Sequence, residues 1–120
     1  MLIDFIKTDF EFNDDRGTII QLVHDNWKQV NYITTKAGVV RGEHYHKNNE
    51  EAFYIISGKF ELELININTK VKETYTIKAG DFFVIKRNIS HSFNFIDDTC
   101  LISMYSNGVE EASGMDMYSI

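Results

Sequence analysis

The chain has 120 residues, 43% of them apolar and 25% charged, with a formal net charge of −6. That is the size and composition of one globular domain, and the acidic balance argues against a surface that tracks nucleic-acid phosphates. Apolar runs such as Phe82-Phe83-Val84-Ile85 fall far short of the ~18 residues of a membrane span, no basic-then-apolar leader opens the chain, and the single cysteine, Cys100, forms no internal disulfide; a soluble, cytoplasmic protein is expected.

Fifteen isoleucines and nine phenylalanines, against four alanines and five leucines, suit pleated sheets better than helices. In chain order, the alternation predicts strands over Thr18–Val23, Gln29–Thr35, Val39–His46, Glu51–Ser57, Lys59–Ile65, Glu73–Ile77, Phe82–Ile85, Ile89–Ile96 and Cys100–Tyr105. Ser57-Gly58 marks a tight hairpin and Asn66-Ile67-Asn68-Thr69 a longer turn. The pattern is clearest in Phe60-Glu61-Leu62-Glu63-Leu64, where Glu61 and Glu63 make a solvated outer face. The first residues and the tail from Asn107 show no period and are either strands exchanged with a partner or surface extensions. Only Val109–Met117 can form a helical turn or two, and Gly114 weakens it. So many short strands in about 100 residues suit a closed or nearly closed antiparallel structure, an all-β fold.

On a strand, His44 and His46 share one face, and a four-residue turn returns the chain to Glu51 beside them. His91 has the parity of Ile89, Phe93 and Phe95, so it projects from an apolar face, where a neutral or metal-bound ring is favoured. A histidine pair at this spacing suits a solvated face as well as a ligand pair. His24 is read as a surface residue, Cys100 as a packed thiol and Trp27 as a strand-edge or interface residue. Tyr45, Phe53, Phe82 and Phe83 are read as sheet packing, and Lys86 and Arg87 as a surface loop.

Gly38, His44, His46, Glu51 and Gly58, followed by Gly80 and His91, match the fixed glycines and ligand positions of two motifs, and on them the chain resembles the cupin superfamily. Lys86, Asn88 and Phe95 stand where the second motif has Pro, Gly and Asn, positions that shape a turn and carry no ligand. The resemblance implies a small antiparallel β-barrel or jelly roll, one domain over residues 1–120 with its motif core at 38–95. It also implies a metal set of His44, His46, Glu51 and His91, suited to Fe, Mn, Ni, Cu or Zn.

A narrower resemblance rests on Asp15-Arg16-Gly17, Val30-Asn31-Tyr32-Ile33 and the run Arg41-Gly42-Glu43-His44-Tyr45-His46-Lys47. These are similar to cupins acting on nucleotide-linked keto sugars, among them 3,4-ketoisomerases and the cupin domains of capsule-biosynthesis enzymes. The resemblance implies an isomerase or epimerase working through an enediol. His44 or His46 would carry the proton, Tyr32 would assist and Arg41 would lie near the diphosphate; Phe93 and Phe95, on the face of His91, line the pocket. Ketoisomerases generally work without metal and tend to have glutamine at the position of Glu51, so the expected cofactor is a divalent transition metal, or none if that chemistry holds. A metal-dependent oxygenase or lyase and a non-catalytic small-molecule-binding module are the alternatives. A homodimer is expected, since a small barrel with an apolar, unassigned N-terminus often covers its exposed sheet with a second copy.

Overall fold

Strands account for every regular element in a computed structural model of the chain, which describes residues 1–119. They are β1 (Ile3–Phe5), β2 (Phe10–Asp14), β3 (Gly17–Gln21), β4 (Gln29–Thr35), β5 (Val40–Tyr45), β6 (Glu51–Ser57) and β7 (Lys59–Asn66). After the Asn66 turn follow β8 (Lys72–Lys78), β9 (Phe82–Ile85), β10 (Ile89–Phe95) and β11 (Thr99–Tyr105). Three two-residue strands end the chain: β12 (Glu110–Glu111), β13 (Gly114–Met115) and β14 (Tyr118–Ser119). None of the described residues forms a helix long and apolar enough to cross a membrane.

Two antiparallel sheets face each other, in the orders β1-β9-β6-β11-β4 and β14-β5-β10-β7-β8. This is the jelly-roll form of the expected all-β fold; the sheets remain two layers and do not close into one hydrogen-bonded barrel. The period-2 pattern decides what lies between them. On β7, Phe60, Leu62 and Leu64 point inward and are fully buried, against Phe93 and Phe95 of β10 and Leu101 of β11. Each such side chain contributes roughly 1.5–3 kcal/mol through its removal from water. A smaller apolar cluster sits on the outer face of the first sheet, where Leu22, Val23 and Trp27 cover Ala52, Phe82, Val84 and Met104. Trp27, half-buried, packs on this cluster just before β4, the edge strand of its sheet.

All nine predicted strands form, with ends shifted by a residue or two. β1 and β2 lie in the N-terminal stretch that shows no period: β1 buries only Ile3 of its three residues, and β2 buries none of its five. The helical turn expected over Val109–Met117 is not made; those residues form the β12–β13 hairpin, closed by Asp116 N–H donating to the Val109 carbonyl at 2.8 Å. The β2–β3 hairpin pairs only with itself and leaves Phe10, Phe12 and Ile19 exposed.

Candidate functional site

The run Arg41-Gly42-Glu43-His44 carries a local irregularity that builds the site. Opposite β10, His44 pairs with His91 and Gly42 with Ser92, so Glu43 is an extra residue, a β-bulge. Gly42 and Glu43 both adopt positive φ, +99° and +62°. In a regular strand Arg41 and His44 would face opposite ways; the bulge turns both toward the space between the sheets. Gly42 also lies so close to β10 that a Cβ there would sit 2.5 Å from the His91 carbonyl oxygen. Only glycine allows this approach.

His44, His46 and His91 converge, with ring centroids 5.2 Å (44–46), 4.7 Å (44–91) and 5.3 Å (46–91) apart, and one ring nitrogen from each lies within 4.8 Å of the others. Glu51 Oε1 is 3.2 Å from His46 Nε2 and 3.5 Å from His91 Nε2. The four residues named from their spacing thus meet at one point. Burial pushes the Glu51 carboxyl up, against hydrogen bonds from His46, Tyr105 and Ser103. Burial works against a charged His46 too, but the hydrogen bonds and charge of Glu51 and Asp116 outweigh it and raise its pKa. His91 is held well below the ordinary imidazole value by burial and then by its histidine neighbours. His44 is lowered by burial and by repulsion from His46.

A cavity of about 370 Å³ opens over this cluster, lined by His44, Glu51, His91 and Tyr105 and walled by Phe53, Phe93, Phe95 and Ile33. Arg41 lies at its rim, where its Nε donates to Thr35 Oγ1 at 2.7 Å, and it also borders a second, more polar cavity with Lys36, Thr99 and Asp98. His46 stays behind the wall, 3% exposed, its Nδ1 donating to the Asp116 carbonyl at 2.6 Å.

Tyr32 is not brought to the site. On β4 the residues facing inward are Gln29, Asn31, Ile33 and Thr35, so Tyr32 falls on the outer face and is 69% exposed. The cavity's tyrosine is Tyr105, on the neighbouring strand β11 and paired in register with Glu51; burial, with the Glu51 charge, holds its hydroxyl protonated far into the alkaline range. The inward parity of Leu101, Ser103 and Tyr105 was the available signal for it. Met117, also in the cavity wall, and Asp116 come from a tail whose pattern carried no such signal. Lys86 pairs with Asp4 at 3.4 Å and Arg87 donates to the Asn48 carbonyl, so both serve the surface loops.

His44 on β5, His46 just past its end and His91 on the paired strand β10 meet Glu51 from β6 of the facing sheet, inside a two-layer jelly roll of the cupin fold. The chain belongs to the family described as Polysaccharide biosynthesis C-terminal domain, which matches it over residues 12–118. It is 24% identical over 119 residues to the Spore coat polysaccharide biosynthesis protein SpsL of Bacillus subtilis (strain 168), an alignment spanning 87% of this chain and 79% of SpsL. Among solved structures it resembles a 3,4-ketoisomerase from Helicobacter canadensis, with TM-score 0.81, 22% identity, and 100% and 92% of the two chains covered. The WlaRB TDP-quinovose 3,4-ketoisomerase of Campylobacter jejuni gives TM-score 0.79 and 23% identity, over 95% of this chain and 92% of that one. The capsular polysaccharide assembling protein CapF of Staphylococcus aureus gives 0.70 and 22%, over 92% of this chain but only 32% of CapF.

Proposed function

We propose that the protein is a nucleotide-sugar isomerase or epimerase acting on a keto-deoxysugar nucleotide in polysaccharide biosynthesis. One observation carries this reading: His44, half-buried beside His91, faces a largely apolar cavity of small-molecule size with Arg41 at the rim. The 3,4-ketoisomerase activity of the structural relatives and the polysaccharide role of SpsL support it.

In the reaction, His44 removes the proton from the carbon beside the ketone while the ketone oxygen gains one, giving an enediol. Return of a proton to the former carbonyl carbon, with loss of the proton on the neighbouring hydroxyl, completes the shift with no net oxidation. A lowered pKa leaves His44 with a free lone pair near neutrality, as a general base needs. His46 has both nitrogens engaged, by Asp116 and Glu51, and so holds the site where His44 works it. Tyr105, protonated and inside the cavity, takes the assisting role expected of Tyr32. Arg41 meets the diphosphate, while Phe93 and Phe95 pack against the sugar.

The same residues fit a divalent transition metal. His46 Nδ1 and His91 Nδ1 are turned to backbone carbonyls, of Asp116 and Ile89, which leaves both Nε2 atoms facing Glu51 beside His44. His44, His46, Glu51 and His91 would hold the ion, and it would polarise a substrate oxygen. This donor set favours a second reading, a metal-dependent oxygenase or lyase, in which His44 is a ligand and not a free base.

Purified protein incubated with thymidine-diphospho-4-keto-6-deoxyglucose and followed by NMR is expected to shift the ketone or invert a centre. An unaltered sugar across a series of keto-sugar nucleotides overturns the first reading. Elemental analysis separates the second, which requires stoichiometric metal.

Residues 1–120 act in this reading as one catalytic domain around the 38–95 core, in the reducing cytoplasm that suits a free Cys100. The working form is a homodimer. An isolated hairpin such as β2–β3 is marginal in water, and its Phe10, Phe12 and Ile19, like Val30 and Tyr32 on β4, call for an apolar cover. Sedimentation showing only monomer at micromolar concentration would overturn this.

A further inference from the structure

Asp116 is fully buried, yet it does not line the cavity and, among the described residues, pairs with no lysine or arginine. Its carboxylate accepts hydrogen bonds from the backbone N–H groups of Lys47 and Asn48 and from Asn49 Nδ2, each at 2.9 Å. Its own N–H donates to the Val109 carbonyl, and its carbonyl accepts from His46 Nδ1 at 2.6 Å. Asn49 closes the circuit: its Oδ1 accepts from the N–H groups of Asn107 and Gly108, and its Nδ2 also donates to the Gly108 carbonyl. The segment from Gly108 onward is therefore strapped to the loop that begins immediately after His46. Past Asp116 the strap continues along the site, with Met117 in the cavity wall and Tyr118 paired with Tyr45 on β5.

We propose that Asp116 is a positioning residue for His46: by gripping residues 47–49 with its carboxylate it aims its own carbonyl at His46 Nδ1, fixing the proton there and turning Nε2 to Glu51. The carboxylate and the carbonyl belong to one residue, and the loop they hold is the loop that carries the ring, so the circuit leaves His46 a single orientation. Without the carboxylate, the tail keeps its short pairing at β14 but loses the grip that sets the carbonyl, and the ring is free to turn. The site then loses the one of its three imidazoles that, among the described residues, is anchored from outside the two sheets. This sharpens the reading above, which needs an ordered His46 whether or not a metal is bound.

Long-range ¹H–¹⁵N NMR on metal-free protein in mildly alkaline buffer tests it without any substrate. In the unmodified chain, His46 is expected to carry its proton on Nδ1 and to show coupling across the hydrogen bond to the Asp116 carbonyl carbon. In Asp116→Asn, which keeps the shape but loses one of the accepting oxygens, the His46 Nδ1 proton is expected to exchange rapidly while the His91 pattern stays unchanged. A Zn²⁺ titration of both proteins is the second readout, with affinity expected to fall about 10–100-fold in the variant. His46 bare at Nδ1 in the unmodified chain, or an unchanged His46 pattern in Asp116→Asn, overturns the proposal. If Asp116→Asn does not fold, Asn49→Ala, which removes one of the three donors to the carboxylate, takes its place, with the same faster exchange of the His46 Nδ1 proton expected and an unchanged His46 pattern overturning the proposal. If neither protein takes up Zn²⁺, the metal reading fails, and the tautomer result stands on its own.

Discussion

Replacing Gly42 with alanine tests whether the bulge, and with it the inward aim of Arg41 and His44, is enforced by close contact between β5 and β10. Two costs add. An L-residue at φ +99° pays about 1–2 kcal/mol for the left-handed region. The new methyl would lie 2.5 Å from the His91 carbonyl oxygen and 3.3 Å from Ser92 Cα, where ordinary contacts begin at 3.4 Å, so β5 must retreat from β10 by up to about 0.9 Å. Forced overpacking of this kind costs about 1–3 kcal/mol. Gly80→Ala and Gly38→Ala isolate the second cost, because those glycines have φ +90° and +85° with nothing within 4 Å of a Cβ. Urea unfolding should therefore show Gly42→Ala less stable than either control by about 1–3 kcal/mol, equivalent to roughly 4–12 °C in Tm. Since the retreat separates His44 from His91 directly, Gly42→Ala should also weaken turnover or Zn²⁺ uptake more than the controls do. Equal losses of stability in all three variants would refute the reasoning, because the close approach at Gly42 would then not constrain the sheet.

Tyr105→Phe removes the hydroxyl that faces Glu51 and is expected to lower kcat by about 10²-fold or more, while Tyr32→Phe stays within about twofold; the reverse order in steady-state kinetics would return the assisting role to β4. His44→Gln should leave the unfolding midpoint nearly unchanged and cost about 10²–10⁴-fold in kcat/KM. In metal-free protein the folded-state pKa of His91 lies below its unfolded value, so below pH ~6.5 the unfolded chain binds the extra proton. Relative to His91→Asn, the unmodified chain should therefore hold its stability above pH ~6.5 and lose up to about 1.4 kcal/mol per pH unit as the pH falls below it; a flat difference curve would mean that His91 titrates normally.

What the sequence disclosed and what it hid divide along a physical line. Strands that bury one face announce themselves by alternation, so β7, with Phe60, Leu62 and Leu64 inward, needed no tertiary knowledge, whereas the convergence of His44, His46, Glu51 and His91 came from the resemblance in motif and not from the pattern alone. Parity also decides Tyr32 against Tyr105, once inward residues are counted along β4 from Ile33 and along β11 from Leu101. The resemblance pointed to a helper tyrosine, and the nearer candidate in the chain faces the wrong way. The bulge is a different matter: Gly42 hints at it, but its consequence, three inward side chains at positions 41, 44 and 46, depends on the approach of β10, which lies about 50 residues further on. Asp116 was the least legible of all. An aspartate between two methionines in an aperiodic tail has no local mark of burial, and its partners at 47–49 are backbone N–H groups and one amide that any polar loop might display. Residues that bind substrate or metal are constrained in type and spacing, whereas those that hold them in place need only an acceptor at the right point. The support of a site is therefore harder to read from a chain than the site itself, and here the support includes the segment that the pattern left blank.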